Sequence, residues 1–220
     1  MHDGRGLLYA GIDVDSSGEG DFLEWHTREH LVERLGLPGF LRGRRFVARN
    51  IHPRYFILYD VEDLSVLAGS EYLECLNNPT PWTQRTIRNF RNGFRSACRV
   101  VYSSGVAEGG FILVVRLSNV VPDQLESAFD ALPDTLLSRP GVTRVRLAVP
   151  DLEVSTIDTR ERRESGNDFA EESILLVEAI AEESLVALLA SDLASDQMAA
   201  RGLNVQVAAV YQLQVRMGGL

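Results

Sequence analysis

The feature that most limits what this chain can fold into is an order of elements that occurs twice. By hydrophobic period, Gly6–Val14 reads as a strand and residues 21–35 as an amphipathic helix. Residues 40–49 and Tyr55–Val61 read as two more strands, 64–76 as a second helix, and 94–103 as a fourth strand. A short helical addition at 79–89 is opened by Pro79-Thr80-Pro81-Trp82, since proline suits a first helical turn. The order then returns: strand 110–118, helix 122–137, strands 140–149 and 174–180, helix 184–200, strand 205–217. Two short matches sit at equivalent places. Pro38-Gly39-Phe40-Leu41-Arg42-Gly43-Arg44 and Pro140-Gly141-Val142-Thr143-Arg144-Val145-Arg146 share PGxxRxR between first helix and second strand. The proline stops the helix and the glycine makes the turn. Val100-Val101-Tyr102 and Ala209-Val210-Tyr211 match in the last strands. Several matches in one consistent order outweigh any single one.

A βαββαβ unit forms a four-stranded antiparallel sheet with its helices on one face. Runs such as Phe56-Ile57-Leu58-Tyr59 and Ile174-Leu175-Leu176-Val177 are apolar on both faces, so the bare face needs a cover. A second sheet is the natural one. The expected fold is α+β: two tandem ferredoxin-like modules, 1–105 and 106–220, packed sheet to sheet as an α/β barrel of the dimeric type. The chain is then an intramolecular pseudo-dimer, with a homodimer as a further option. Residues 151–172 break the symmetry. They are polar and charged, and are expected to form a long mobile loop, with a lid over a pocket as the lesser alternative.

The 220 residues suffice for two domains, and the 45% apolar content for two cores. No apolar run approaches a membrane span, and the polar start has no signal-like apolar region. With Cys75 and Cys98 at no metal-ligand spacing, a cytoplasmic protein with two ordinary thiols is expected. All 22 basic residues are arginine, which excludes a lysine Schiff base in this chain. Residues 1–105 balance 13 arginines against 13 acids, whereas 106–220 carry 9 against 18. An acidic half argues against nucleic-acid partners.

Most of the chemistry-bearing residues lie early. Both tryptophans, all four histidines and 13 of the 17 aromatics precede residue 106. A single small-molecule pocket is therefore expected in the first module. On an ideal helix Phe22, Trp25, Glu29, Val32 and Glu33 share a face, with His26 and His30 on its flank. The candidate acid/base residues are His30, His26 and Glu29. Trp25, Tyr55, Tyr59 and Trp82 are candidates to contact a substrate. The plainer reading has the glutamates paired with the PGxxRxR arginines and the histidines half-exposed. His26-Thr27-Arg28-Glu29-His30 also fits H-x-x-E-H, a zinc-peptidase pattern. Its third ligand has no convincing source, so no metal is expected. Arg85, Arg88, Arg91 and Arg95 form a stripe that either binds an anion or is a solvated helix face. No phosphate loop, nucleophile elbow or haem-attachment motif is present.

Trp25-x-x-x-Glu29-His30-x-x-x-Arg34, followed by Leu37-Pro38-Gly39-Phe40, resembles the first-helix segment of EthD-like dimeric α/β-barrel proteins. Pro53-Arg54-Tyr55, Tyr59–Asp63 and Asn78–Thr83 are similar too, so the resemblance spans residues 6–103. It implies the barrel fold and, more loosely, cofactor-independent oxygenation, cyclisation or isomerisation of an aromatic or polyketide-like molecule, with no cofactor. The alternative is a non-catalytic ligand-binding or assembly module. Haem binding, seen in more distant relatives of that fold, lacks a histidine in the second half.

Overall fold

The computed structural model describes residues 4–118 and 129–218. The chain divides into two compact units: Met1–Arg99 with Pro150–Ala170 and Gln214–Leu220, and Val100–Val149 with Glu171–Leu213. This division differs from a single cut after residue 105, because the polar segment 150–170 belongs to the first unit.

Unit 1 opens with β1 (Gly6–Val14) and a helix in three parts: α1 (Glu19–Trp25), a π turn (His26–His30) and α2 (Leu31–Leu35). Then come β2 (Phe40–Val47), β3 (Tyr55–Val61), α3 (Ser65–Ala68), α4 (Ser70–Asn77), α5 (Pro81–Thr86) and β4 (Phe90–Gly105), whose residues up to Arg99 lie in this unit. The antiparallel sheet runs β2-β3-β1-β4. In unit 2, β5 (Phe111–Ser118), α6 (Leu132–Leu137), β6 (Val142–Pro150, in this unit up to Val149), β8 (Ser173–Ala179), α9 (Glu182–Leu189), α10 (Ser195–Ala200) and β9 (Asn204–Gly218, in this unit up to Leu213) repeat the order, with the sheet β6-β8-β5-β9. The first part of the helix expected at 122–137 lies outside the described residues.

Strand alternation sorts the two faces. In unit 1, Leu8, Ile12, Tyr55, Ile57, Tyr59 and Val61 pack against Phe22, Trp25 and Leu31 of the first helix and Leu67, Tyr72 and Leu76 of the second. In unit 2, Leu113, Val115, Leu175 and Val177 pack against Leu132, Leu136, Leu185 and Leu188. The PG turns match in detail, with Gly39 and Gly141 both at φ +84°. That left-handed backbone suits glycine, and a Cβ on Gly39 would lie 2.4 Å from a Val66 methyl.

The arginines of PGxxRxR lie on the sheet face away from the helices. In register, Arg42 stands opposite Asp60 and Arg144 opposite Glu178. Arg42 Nε donates to Asp60 Oδ2 at 2.8 Å, and Arg44 lies 3.6 Å from the same carboxylate. Arg146 pairs with Glu178 at 3.4 Å. All five side chains are buried. The first-helix glutamates are therefore not the partners of Arg42 and Arg44. A two-residue spacing along a strand keeps both arginines on one face, and the face they share holds Asp60.

The segment expected as an irregular loop is instead built from capped turns. These are α7 (Leu152–Ser155), α8 (Arg160–Ser165) and a two-residue strand β7 (Asp168–Phe169) parallel to β4 at Phe94 and Arg95. Asp151 and Thr159 cap the helices through their side chains, and Gly166 ends the second at φ +65°. Buried Ser155 accepts the Ala97 N–H at 2.9 Å, and the N–H groups of Asp151 and Ala170 donate to the carbonyls of Ala97 and Arg95. Backbone groups of β4 thus hold a segment that has few apolar residues to bury.

Removing one member of a buried ion pair forfeits the attraction while the other charge stays desolvated. Asp60→Ala, which leaves Arg42 and Arg44 facing no Asp60 carboxylate, is expected to lower stability by about 3–5 kcal/mol in urea unfolding. A loss below about 1 kcal/mol would show that Asp60 does not set their electrostatics.

Candidate functional site

The first helix does not keep the α period through its middle. At His26–His30 it widens by one residue per turn, and the Leu31 N–H donates to the His26 carbonyl. The insertion shifts the phase of every later residue. The buried set is Phe22, Trp25, His26, His30, Leu31 and Arg34, whereas Val32 is 52% exposed. This corrects the expected face of Phe22, Trp25, Glu29, Val32 and Glu33, which assumed a constant turn. The histidines are buried, not on a half-exposed flank. Wide turns of this kind are frequent at functional sites.

Between this helix and the sheet of unit 1 lies a cavity of about 70 Å³. Leu8, Ala10, Ile12 and Ile57 form its apolar floor. Trp25, His26, His30, Arg34, Tyr59 and Tyr72 line it too, with Arg95 from β4. Glu161, Arg162, Ser165 and Asn167 of the 150–170 segment complete the lining. The imidazoles of His26 and His30 lie 5.6 Å apart, and the His30 ring stacks obliquely 4.4 Å from the Trp25 ring. Tyr59 Oη is 3.4 Å from His26 Nε2, a weak contact. Nδ1 of each histidine is buried without a hydrogen-bond partner among the described residues.

Arg34 organises the charge here. Its guanidinium donates to Glu161 at 2.8 Å, to Glu33 at 2.9 Å and to Cys75 Sγ at 2.7 Å, and lies over the Tyr72 ring. Burial alone would disfavour the cation, but Glu161, Tyr72, Cys75 and Glu33 hold it firmly charged. Both histidines are held well below the usual imidazole range. Burial is the main cause for each, helped by Arg45 and Arg34 at His26 and by Arg34 and His26 at His30. Burial likewise raises the Tyr59 and Tyr72 hydroxyls and pushes the Cys75 thiol up to about 11. At neutral pH the cavity therefore presents two neutral imidazoles and two protonated phenols.

The other sequence candidates take structural places. Glu29 Oε1 accepts from Thr80 at 2.6 Å and Thr83 at 3.3 Å, binding the helix to the start of α5. Tyr55 donates to Glu19 at 2.5 Å, and Trp82 Nε1 donates to Asp21 at 3.0 Å. None of these three lines the cavity, whereas Trp25, Tyr59, His26 and His30 do. With Glu29 turned to the threonines, the H-x-x-E-H spacing does not converge. Among the described residues no group of three or more His, Cys, Asp or Glu has metal-holding geometry. The arginine stripe is split between a helix and a strand: Arg85 pairs with Asp21, Arg91 with Asp15, and Arg95 alone of the four lines the cavity. Arg34, Tyr72 and Glu161 were not among the sequence candidates, and Arg95 was weighed only as one member of the arginine stripe. Arg34 had a signal, since it closes the W-x-x-x-EH-x-x-x-R pattern. Glu161 had none in a segment read as irregular.

No family profile and no curated protein matches this sequence. Solved structures do match over nearly the whole chain. An anthrone oxidase-like protein aligns with a TM-score of 0.64 and 13% identity, covering 97% of this chain and 92% of its own. Provisionally named monooxygenases from Fusobacterium nucleatum (0.59, 12%, covering 100% and 98%) and Lactobacillus acidophilus (0.58, 9%, covering 97% and 96%) also align. The chain thus has the α+β fold of the dimeric α/β-barrel, ferredoxin-like proteins. No helix among the described residues is long and apolar enough to cross a membrane.

The neutral histidines make a stability prediction with a definite sign. Unfolded imidazoles take up protons below about pH 6.5 that the folded ones refuse. Stability is therefore complete above pH 6.5 and declines as the pH falls below it. In urea titrations His26→Asn/His30→Asn is expected to flatten that decline between pH 6.5 and 5. The loss near pH 4 and below should persist, because Asp13, lowered by hydrogen bonds from Asn92, His52 and the Arg54 N–H that outweigh its burial, still titrates there. An unchanged slope in the double variant would contradict the burial of neutral imidazoles.

Proposed function

We propose that the unit 1 cavity binds a small organic molecule and moves a proton on it without a cofactor, with His30 as base. Oxygenation, cyclisation and isomerisation of acidic carbon compounds all begin with removal of a proton to give an enolate or phenolate. A neutral imidazole can accept that proton at neutral pH, although its burial weakens it as a base. The observation that carries this reading is the pair His26 and His30, each with an Nδ1 that has no hydrogen-bond partner among the described residues, lining one cavity with Tyr59. His30 takes the proton. Tyr59, kept protonated by its burial, is placed to donate a hydrogen bond to the oxygen that gains charge. Return of the proton to another carbon completes an isomerisation with no change in oxidation state. Oxygenation would require dioxygen as a second substrate. The fold shared with an anthrone oxidase-like protein and with provisionally named monooxygenases supports this class of chemistry by analogy alone.

Size restricts the substrate. A 70 Å³ cavity is about half of the roughly 150 Å³ that accommodates benzene in a protein interior. A polycyclic polyketide requires the 150–170 segment to move, whereas a three- or four-carbon molecule does not. The same smallness favours a second reading, a binding module without turnover.

Exchange of carbon-bound protons of hydroxyacetone into D2O, followed by NMR, separates the two readings. Wild type is expected to exceed His30→Gln by about 10²–10⁴-fold, with the rate level above pH 7 and falling on the acid side as His30 takes up a proton. Equal rates for wild type and His30→Gln would rule out the base. Shifts of the His26 and His30 ring signals without exchange would support binding alone.

A further inference from the structure

From the charge around this cavity we infer that its ligand is a small carboxylate, and that Arg95 is the residue that selects it. The inference rests on the cavity being a ligand site, as proposed above, and adds the chemical class. Three arginines and one glutamate line the cavity, so its wall carries two positive charges in excess within a chain of net charge −9. Two of the arginines are already engaged. Arg34 holds Glu161, Glu33 and Cys75. Arg162 donates to the carbonyls of Thr156 and Ile157 and lies over the Phe169 ring. The Arg95 side chain is half-buried and makes no ion pair or side-chain hydrogen bond among the described residues, although its backbone carbonyl accepts the Ala170 N–H.

Register explains why Arg95 faces the cavity. It stands opposite Ala10 in the β1–β4 ladder. Both residues therefore present their side chains to the helix side of the sheet, where Ala10 leaves room that a larger residue would fill. A guanidinium offers a planar fork of donors that fits two carboxylate oxygens. With the carboxylate on Arg95, the carbon body of the ligand lies over Leu8, Ala10, Ile12 and Ile57. The neutral histidines bring no charge to compete for the anion and leave their nitrogens free to accept a proton. The cavity volume holds the body to about three or four carbons.

The test is an NMR titration with isobutyrate and with its neutral isostere isobutyramide, read from the His26 and His30 ring signals and run on wild type, Arg95→Gln and Arg95→Lys. The expected result is that isobutyrate binds wild type at least ten-fold tighter than isobutyramide. Arg95→Gln should remove that preference while leaving the amide affinity unchanged, and Arg95→Lys should retain part of it. Because the amide reports on the cavity without a charge, its unchanged binding also shows that the variant is folded. If the amide shifts the histidine signals and isobutyrate binds no tighter, the carboxylate inference falls and the cavity stands as a ligand site. Isobutyrate preference that survives Arg95→Gln overturns the role of Arg95. If neither probe moves the histidine signals, both the site and the inference fall.

Discussion

The ion pair between Arg34 and Glu161 is the contact on which the candidate site depends. A guanidinium this deeply buried needs a carboxylate to offset its desolvation, and Glu161 comes from a segment more than a hundred residues further along the chain. One contact thus does three things. It keeps Arg34 charged in the core of unit 1. It fixes α8 beside the first helix. It places a positive charge that adds to burial in holding His26 and His30 neutral. Without the segment, Arg34 would keep Glu33 and the Cys75 sulfur as polar partners, and the cavity would lose four of its lining residues.

The π turn is the second condition. On a regular helix His26 and His30 would lie nearly above one another, but the residues after them would keep the earlier phase. One extra residue in the turn brings Arg34 inward with the histidines and sends Val32 out to solvent. The helix gives up regular hydrogen bonding at the point where its side chains carry polar atoms. Such departures from local regularity are frequent at functional sites.

These two features mark where sequence reasoning held and where it stopped. Strand period and the paired PGxxRxR turns made the βαββαβ order legible, because each strand must alternate and each sharp turn needs its glycine. Trp25, His26, His30 and Tyr59 were legible for the same reason: they stand out in type and lie on elements whose faces can be counted. The counting failed at Glu29 and Val32 because a π turn leaves no mark in composition. It failed for residues 151–172 because a segment held by caps and by the backbone of β4 needs few apolar residues. Arg34 and Glu161 illustrate the limit, since a pair joined across 127 positions has no local periodicity to betray it.

Why the cavity lies where it does follows from the side chains that surround it. On the helix side of unit 2, leucine, valine and methionine meet leucine and valine, and such chains can adjust their rotamers to interdigitate. The corresponding face of unit 1 combines its aliphatic residues with many rings, among them Phe22, Trp25, His26, His30, Tyr55, Tyr59, Tyr72 and Phe90. Rings are rigid plates held at preferred angles, and the Trp25–His30 and Phe22–Tyr55 stacks fix several of them at once. Plates locked in this way cannot relax into every gap. The polar atoms at their edges also forbid filling the space with hydrocarbon, because a buried imidazole or hydroxyl seeks a partner. The two sheets have one order of strands, but the faces they present differ in kind. The face richer in rings is the one that leaves a space, walled by apolar and polar side chains together.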